Sequence, residues 1–156
     1  MGTFKNKFDS NRQDWTTPKE LFNKLNEEFH FTCDLAASKE NALCSKFFTI
    51  DDNGLNQKWE GICYLNPPFN TKNCRVVDWV KKAYLNTQNN SNLIVVILLP
   101  ARTNNKFWHQ YIMKASEIKF ICGRVKFGGA KCGLPQPLVF VVFKKSDKTK
   151  FSSFYL

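Results

Sequence analysis

Leu93-Ile94-Val95-Val96-Ile97-Leu98-Leu99 is an uninterrupted apolar run, and Pro100 follows it directly. A continuous run rich in Val and Ile is typical of a strand whose two faces are both covered, as in a parallel sheet between helices. We therefore predict that residues 93–99 form the central strand of the fold. The polar residues Arg102, Thr103 and Asn104 follow this strand, at the edge where such sheets bind ligands.

Apolar periodicity on both sides of this run alternates between strands and helices. The predicted strands cover 31–35, 46–50, 62–65, 93–99, 117–121 and 138–144, and predicted helices begin near residues 18, 76 and 105. This alternation predicts a three-layer α/β fold with a mostly parallel sheet, in which 138–144 is the last strand. Only 32 positions separate Asp34 from Asn66 (66 − 34 = 32), so this half of the fold should be trimmed.

The chain of 156 residues is long enough for about one domain. We expect a polar arm over 1–13, the domain itself over 14–146, and a C-terminal tail over 147–156. Thr17-Pro18 with Glu20 marks the first helix. Thr17 is the predicted N-cap, Pro18 takes the first helical position, and Glu20 completes a capping box.

Asn66-Pro67-Pro68-Phe69 is the best candidate for a chemical site. Two consecutive prolines remove two backbone donors and hold the chain in a stiff, extended turn. The Asn66 side-chain oxygen and the Pro67 carbonyl make a pair of acceptors suited to an exocyclic amine, and Phe69 offers a face on which a base can stack. The alternative is that the prolines only end a strand and Phe69 packs in the core.

Acidic residues follow the first two predicted strands. Asp34 precedes the small residues Ala36 and Ala37, and Asp51 and Asp52 follow the second strand. Carboxylates at these points commonly hold the ribose of a nucleotide cofactor. Plain turns are the alternative at both places, because no Gly-x-Gly follows the first strand and an Asx turn fits the second.

The charge of the chain favours a polyanionic partner. Lys and Arg number 23 against 13 Asp and Glu, giving a net charge of +10. Residues 119–150 hold eight basic residues and one acidic residue, Asp147, so this fifth of the chain carries a net charge of +7. A solvated basic face is the alternative interpretation.

The remaining composition argues against other classes of protein. Six cysteines and two histidines show no metal-ligand spacing, so we expect no metal site. No apolar run approaches the ~18 residues of a membrane span. We expect a protein of the reducing cytoplasm that does not contact membranes.

Six segments of the chain follow one another in a characteristic order. They are Thr17-Pro18, residues 32–37 with 41–44, residues 52–55 with Trp59, residues 66–69, residues 99–103 and residues 123–127. With these segments, residues 15 to 144 resemble the small phage-type DNA N6-adenine methyltransferases, the Dam-like family that uses S-adenosylmethionine (SAM). The resemblance implies a trimmed, Rossmann-like SAM-dependent methyltransferase fold whose final strand, 138–144, is antiparallel. It also implies a protein encoded by a phage or prophage and located in the bacterial cytoplasm.

The resemblance also implies a function and a set of site residues. The function is site-specific transfer of a methyl group from SAM to N6 of a flipped adenine in DNA, with S-adenosylhomocysteine as the product. The catalytic residues are Asn66, Pro67, Pro68 and Phe69. Residues expected near SAM are Trp15, Thr17, Pro18, Asp34, Ala36, Asp51 and Asp52. Residues expected on DNA are Lys72, Arg75, Arg102, Thr103, Asn104, Arg124, Lys126 and Lys131.

Some alternatives stay open at this point. A DNA cytosine N4 methyltransferase would use the same acceptors, a catalytically silent DNA-binding module would keep the fold, and an RNA target would suit the same charge. No separate recognition domain is visible, so the loop 123–137 would read DNA, or a second subunit would help in a homodimer. The chain departs from the family at Asn104, where Asp is usual, and at Leu134-Pro135-Gln136-Pro137, where Ala-Pro-Phe-Pro is usual. Phe69 replaces the commoner Tyr and keeps the stacking face.

Overall fold

The computed structural model describes residues 15–68, 75–128 and 132–156. Within them the chain forms one seven-stranded sheet and three α-helices. The strands are β1 (Cys33–Asp34), β2 (Lys46–Phe47), β3 (Ile62–Leu65), β4 (Ile94–Pro100), β5 (Glu117–Cys122), β6 (Leu138–Phe143) and β7 (Lys150–Tyr155). The helices are α1 (Lys19–Phe29), α2 (Val76–Asn89) and α3 (Lys106–Gln110), and a short 3-10 helix covers Ile112–Lys114. The predicted arm, residues 1–13, lies outside the described residues.

The strand predicted to be central is central. The strand order is β2-β1-β3-β4-β6-β5-β7, with β4 in the middle of the described sheet. Strand β4 pairs in parallel with β3 and antiparallel with β6. Of the seven described strands only β6 runs against the others, because β5 is antiparallel to β6 and β7 is parallel to β5. The sheet is therefore mostly parallel, as predicted.

Helices cover both faces of the sheet. Val95, Ile97 and Leu99 point into the core shared with α2 and α3, whereas Val96 and Leu98 point into the core shared with α1. This two-sided burial explains why the run at 93–99 has no polar residue, since successive side chains of a strand point to opposite faces. The α/β class predicted from the sequence is confirmed.

The half of the fold before Asn66 is trimmed, as its length predicted. Neither of the connections between β1, β2 and β3 contains a helix. Side chains hold the second connection down instead. The Trp59 indole N–H donates to the Gly54 carbonyl at 2.8 Å, and Lys82 of α2 donates to the carbonyls of Leu55 and Gln57, both at 2.6 Å. The Lys82 ammonium also lies 4.7 Å from the centre of the Trp59 ring.

The prediction of a C-terminal tail over 147–156 is wrong for most of that segment. Strand β7 adds to the sheet beside β5, with Phe154 buried against Phe140 at a ring separation of 5.1 Å. The Ser152 hydroxyl also donates to Glu117 of β5 at 2.6 Å. Most other β7 side chains are exposed, so the segment lacks the apolar pattern of a buried strand. The antiparallel strand β6 is consequently not the last one.

The start of α1 differs from the predicted capping box. Pro18, with φ −58° and ψ 134°, is the N-cap residue, and no side chain caps the helix. Thr17 lies outside the helix because its hydroxyl is buried against other partners. The Pro18 carbonyl accepts the first backbone bond of the helix, from Phe22 at 3.1 Å.

Several other predicted elements are present but shorter than expected. Strands β1 and β2 have two residues each, and the helix expected over 105–114 divides at Tyr111, whose φ of −127° lies outside helical geometry. None of the helices that the structure describes is long and apolar enough to cross a membrane.

Candidate active site

The predicted site residues gather at the carboxyl ends of neighbouring parallel strands. Strand β1 ends at Asp34, which pairs in register with Tyr64 of β3, so Asn66 lies just beyond the same edge. Strand β4 ends at Pro100 at that edge and leads into the loop that carries Arg102. The structure thus brings together residues separated by up to about half of the chain.

The Asn66 side chain has a defined orientation. Its Nδ2 donates to the Trp15 carbonyl at 2.7 Å and to the Thr17 hydroxyl at 3.1 Å. Both amide hydrogens are therefore used. The opposite rotation would set Oδ1 against a carbonyl oxygen, which repels it. Oδ1 consequently points away from these partners, and no described residue donates a hydrogen bond to it.

A second hydroxyl completes this arrangement. The Thr17 hydroxyl lies 2.8 Å from the Tyr64 hydroxyl, and both residues are almost fully buried, with exposures of 3% and 1%. The Tyr64 ring packs edge-on against Phe22 and Phe31 at 5.1 and 5.4 Å. Burial raises the pKa of Tyr64 above its ordinary value, so the hydroxyl stays protonated.

The two prolines sit differently. Pro67 is buried and Pro68 is exposed. Among the described residues, none donates a hydrogen bond to the Pro67 carbonyl, which leaves it as an acceptor beside Asn66. Phe69 and Lys72 lie outside the described residues, so their predicted roles stay predictions.

Asp34 is a buried carboxyl with internal partners. Its oxygens accept hydrogen bonds from the backbone N–H groups of Ala36 at 3.3 Å and Leu43 at 3.2 Å. Burial raises its pKa from 3.8 to about 6, although these two bonds act in the opposite direction. The side chain therefore shapes the loop after β1, and contact with a cofactor at this point would come from the loop, which includes Ala36.

The two acidic residues after β2 have separate surroundings. Asp52 accepts from the Thr49 backbone N–H and hydroxyl, each at 2.7 Å, and the backbone bond is the main reason that its pKa lies below its ordinary value. Asp51 is exposed, and within the described residues it has no hydrogen-bond partner. Of the two, Asp51 is the carboxylate available to a ligand. No group of three or more His, Cys, Asp or Glu side chains within the described ranges could hold a metal ion.

Two predicted DNA-contacting arginines line one cavity next to this edge. The cavity has a volume of about 270 Å³, and its lining includes Arg75, Arg102 and Asn105. Arg75 forms an exposed ion pair with Asp78 at 3.2 Å. With the Gln136 amide oxygen facing Arg102, the guanidinium donates to it from Nε at 3.0 Å and from Nη2 at 2.9 Å.

The two other residues of that loop have different partners. The Thr103 carbonyl lies 2.8 Å from a ring nitrogen of His109. Asn104 is exposed, so its predicted contact with DNA meets no obstacle from the described part of the chain.

The segment 124–128 alternates between core and surface. Val125 and Phe127 are buried on the α1 side, while Arg124 and Lys126 are exposed. The Phe127 ring packs edge-on against Trp15 at 5.5 Å. Phe127 thereby connects this basic segment to Trp15, the residue whose carbonyl accepts a hydrogen bond from Asn66. Lys131 lies outside the described residues.

The sequence interpretation missed two residues of this region. Tyr64 falls within the predicted strand 62–65, where a hydroxyl in an otherwise apolar run is the signal that a polar partner is near. Gln136 belongs to a departure from the family pattern, and its contact with Arg102 joins two loops that are far apart in sequence.

Open α/β sheets bind their ligands at the carboxyl ends of the strands, which is the edge where this chain collects polar groups. Comparison with known families then makes the assignment specific. Residues 5–150 match the family model described as DNA N-6-adenine-methyltransferase (Dam), and the chain belongs to that family. The resemblance inferred from the sequence is confirmed.

Curated relatives agree with this assignment. The chain is 31% identical over 116 residues to the DNA N-6-adenine-methyltransferase of Escherichia phage T1, and the match covers 72% of this chain and 46% of that protein. It is 28% identical over 124 residues to the DNA N-6-adenine-methyltransferase of Haemophilus phage HP1, covering 78% and 69%. A third relative is the putative methyltransferase YfdM of Escherichia coli, 33% identical over 63 residues, covering 35% and 69%. The chain spans about half the length of the phage T1 relative.

Proposed function

We propose that this protein is a SAM-dependent methyltransferase that modifies N6 of adenine at specific sites in DNA. The observation that carries the proposal is the orientation of Asn66. Both of its N–H groups are bound internally, so that Oδ1 and the Pro67 carbonyl are left as two acceptors at the edge of the sheet. Membership of the DNA N-6-adenine-methyltransferase family supports the choice of adenine.

The residues beside these acceptors suit SAM. Asp51 is an exposed carboxylate suited to ribose hydroxyls, and the small residues Ala36 and Ala37 leave room at the turn after β1. These residues and Pro18 would hold the cofactor. When bound, SAM supplies an electrophilic methyl group on its sulfonium sulfur and leaves as S-adenosylhomocysteine.

The chemistry required of the protein is to prepare the amine. Adenine N6 is a poor nucleophile because its lone pair is delocalised into the ring. If Oδ1 of Asn66 accepts one amine proton and the Pro67 carbonyl accepts the other, the nitrogen is favoured in the geometry in which its lone pair can attack. Most of the acceleration is then positioning and electrostatics, with no covalent enzyme intermediate.

The target amine cannot be reached inside a duplex, so the adenine has to be extruded into the site. Phe69 would stack on the extruded base. The exposed residue Arg102 follows β4 at this edge, and the exposed residues Arg124 and Lys126 belong to the segment whose Phe127 packs against Trp15. These basic residues would hold the opened strand.

The test is expression of the protein in a host without DNA methylation. Digestion of that DNA to nucleosides should yield N6-methyladenine and no N4-methylcytosine, and sequencing should place it in one short motif. Detection of N4-methylcytosine alone would replace adenine by cytosine as the target. Unmodified DNA from cells that contain folded protein, together with no SAM binding, would reject the proposal.

A variant pair ties the activity to Asn66. Asn66→Ala should lower the single-turnover rate by about 100-fold to 1000-fold, the usual cost of losing one positioned hydrogen-bond partner. Binding of SAM and the unfolding midpoint should stay close to those of the wild type. Asn92→Ala, in an exposed turn, is the matched control and should behave as wild type. Equal rates for Asn66→Ala and wild type would remove Asn66 from the mechanism.

A further inference from the structure

We propose that Tyr64 and Thr17 are positioning residues that set the orientation of Asn66, and that this hydroxyl pair makes an amide, and not a carboxylate, the working side chain at position 66. The proposal rests on the function proposed above, because it assigns a task to Oδ1 of Asn66. It reassigns Thr17, which the sequence placed beside the cofactor.

The hydrogen bonds of Asn66 and Thr17 show how the hydroxyl pair holds the amide. The Asn66 Nδ2 group donates to the Trp15 carbonyl at 2.7 Å and to the Thr17 hydroxyl at 3.1 Å. The Thr17 oxygen has two lone pairs and one hydrogen, so it can accept from Asn66 and still pair with the Tyr64 hydroxyl at 2.8 Å. Loss of either hydroxyl leaves a buried polar group without its partner.

Burial makes this arrangement stiff. Tyr64 is held on β3 between its neighbours in the sheet and the rings of Phe22 and Phe31. Thr17 is 3% exposed and precedes a proline, which restricts its backbone. The hydroxyl pair therefore has little freedom to follow a misplaced amide, and it selects one rotation of the Asn66 side chain.

The same contacts discriminate against a carboxylate. In Asn66→Asp an oxygen would replace Nδ2 at 2.7 Å from the Trp15 carbonyl, where no hydrogen lies between two acceptors. A protonated carboxyl restores the donor and leaves its second oxygen as an acceptor for the amine. Activity of Asn66→Asp should therefore rise as the pH falls.

Other groups that titrate near position 66 have to be accounted for. Asp34 on the adjacent strand β1 has a pKa of about 6, raised by burial, and would itself affect a pH profile. Burial raises the pKa of Tyr64, and it raises the pKa of Cys44 to about 12. Both side chains therefore stay neutral in the pH range of the assay. The ratio of Asn66→Asp to wild-type rates at each pH removes the contribution of Asp34, since both proteins contain it.

The first experiment uses two substitutions that remove only hydroxyl interactions. Tyr64→Phe should lower the single-turnover methylation rate by about 10-fold, the equivalent of one hydrogen bond. Thr17→Val should lower it by on the order of 100-fold, because the amide then loses its direct partner and is misplaced. SAM affinity should stay unchanged in both variants, since neither hydroxyl is assigned to the cofactor.

Matched controls exist elsewhere in the fold. Tyr84→Phe alters a half-buried tyrosine on α2, and Thr87→Val removes a fully buried hydroxyl that donates to the Ala83 carbonyl at 2.9 Å. Each control should keep the wild-type rate. If the controls slow methylation as much as Tyr64→Phe and Thr17→Val do, loss of stability explains the effect and the positioning role is overturned.

A double-mutant cycle separates positioning from cofactor binding. On the Asn66→Ala background, Thr17→Val should cause no further loss of rate, because the side chain that it positions is absent. A loss that multiplies with that of Asn66→Ala, or weaker SAM binding by Thr17→Val, would show that Thr17 acts on SAM and would overturn the proposal. The proposal would also be overturned if the ratio of the Asn66→Asp rate to the wild-type rate did not change with pH.

A readout that needs no activity keeps this proposal distinct from the proposed function. In nuclear magnetic resonance spectra of the wild type, the two Asn66 side-chain amide protons should exchange slowly with solvent. Thr17→Val should accelerate that exchange, and Thr87→Val should not. If wild-type protein does not methylate DNA but shows this pattern, the proposed function fails while the positioning by Thr17 stands. Fast exchange in the wild type would reject the positioning itself.

Discussion

Gly54→Ala tests how the trimmed half of the fold is held together. A Cβ at Gly54 would overlap the carbonyl oxygen of Leu35, at the end of β1, and would lie 2.9 Å from Cη2 of Trp79 on α2. Because non-bonded carbon atoms pack at about 3.5–4.0 Å, the added methyl has to displace the ring by at least roughly half an ångström. The carbonyl belongs to the backbone and yields less easily. Overpacking of this kind costs about 1–3 kcal/mol.

Two measurements are made on the same variant. Denaturant unfolding should show a loss of about 2 kcal/mol relative to the wild type. Calorimetry should show SAM binding weakened by about 10-fold, since the strained loop carries Asp51, the residue proposed to bind the ribose, and that hydrogen bond would be lost. Asn56→Ala, an exposed position of the same loop, is the control and should change neither value.

The two measurements can fail separately. A Gly54→Ala protein as stable as Asn56→Ala would refute the close contact between the loop and β1. A destabilised protein with wild-type SAM affinity would leave the packing argument intact and would remove the loop with Asp51 from the cofactor site.

Three further predictions concern charge and recognition. The raised pKa of Asp34 means that the folded state binds a proton more tightly than the unfolded state. Its contribution to the free energy of unfolding is therefore complete below pH 3.8 and falls by up to about 3 kcal/mol as the pH rises through 6. Unfolding of Asp34→Asn should lack this decline between pH 4 and 7, and identical slopes for both proteins would contradict the assignment. Gln136→Ala should release Arg102 and relax the methylated motif in sequenced DNA, and an unchanged motif would limit Gln136 to a structural contact. Arg124→Ala and Lys126→Ala should each weaken binding to all DNA sequences. Each should also reduce, by about one, the slope of the logarithm of the binding constant against the logarithm of the salt concentration. Binding titrations that show neither change would leave these residues as a solvated surface.

The fold was most predictable where a strand is buried on both faces. The run 93–99 has no polar residue because both of its faces are covered, and this property is local enough to be visible in the sequence. Strand β7 was missed for the opposite reason. It lies at the edge of the described sheet and only Phe154 is buried. Apart from the Ser152 contact with Glu117, it pairs with β5 through the backbone, which leaves no trace in residue type.

The candidate site was predictable in its members and much less in their contacts. Asn66, Asp34 and Arg102 follow strands, and parallel strands bring such positions to one edge. Their partners are set by long-range geometry, as with Gln136 at Arg102 and with Leu43 at Asp34. A residue type at one point in the chain does not specify which distant group will face it.

Thr17 shows where local reasoning reaches its limit. A Thr before Pro with Glu three residues later fits a capping box, whose contribution to stability is typically about 1 kcal/mol. In the folded chain the same hydroxyl is instead shared with Tyr64 and Asn66, 47 and 49 positions away. Both arrangements satisfy the hydroxyl, but capping α1 with Thr17 would leave the buried Tyr64 hydroxyl and one Asn66 N–H without partners. An unpaired buried group costs about 1–3 kcal/mol, so the loss at Tyr64 alone matches or exceeds a helix cap, and the half-buried Asn66 N–H adds to it. The Thr17 hydroxyl therefore binds Tyr64 and Asn66 and does not cap α1, and the residue that the sequence assigned to the start of the helix belongs to the candidate site.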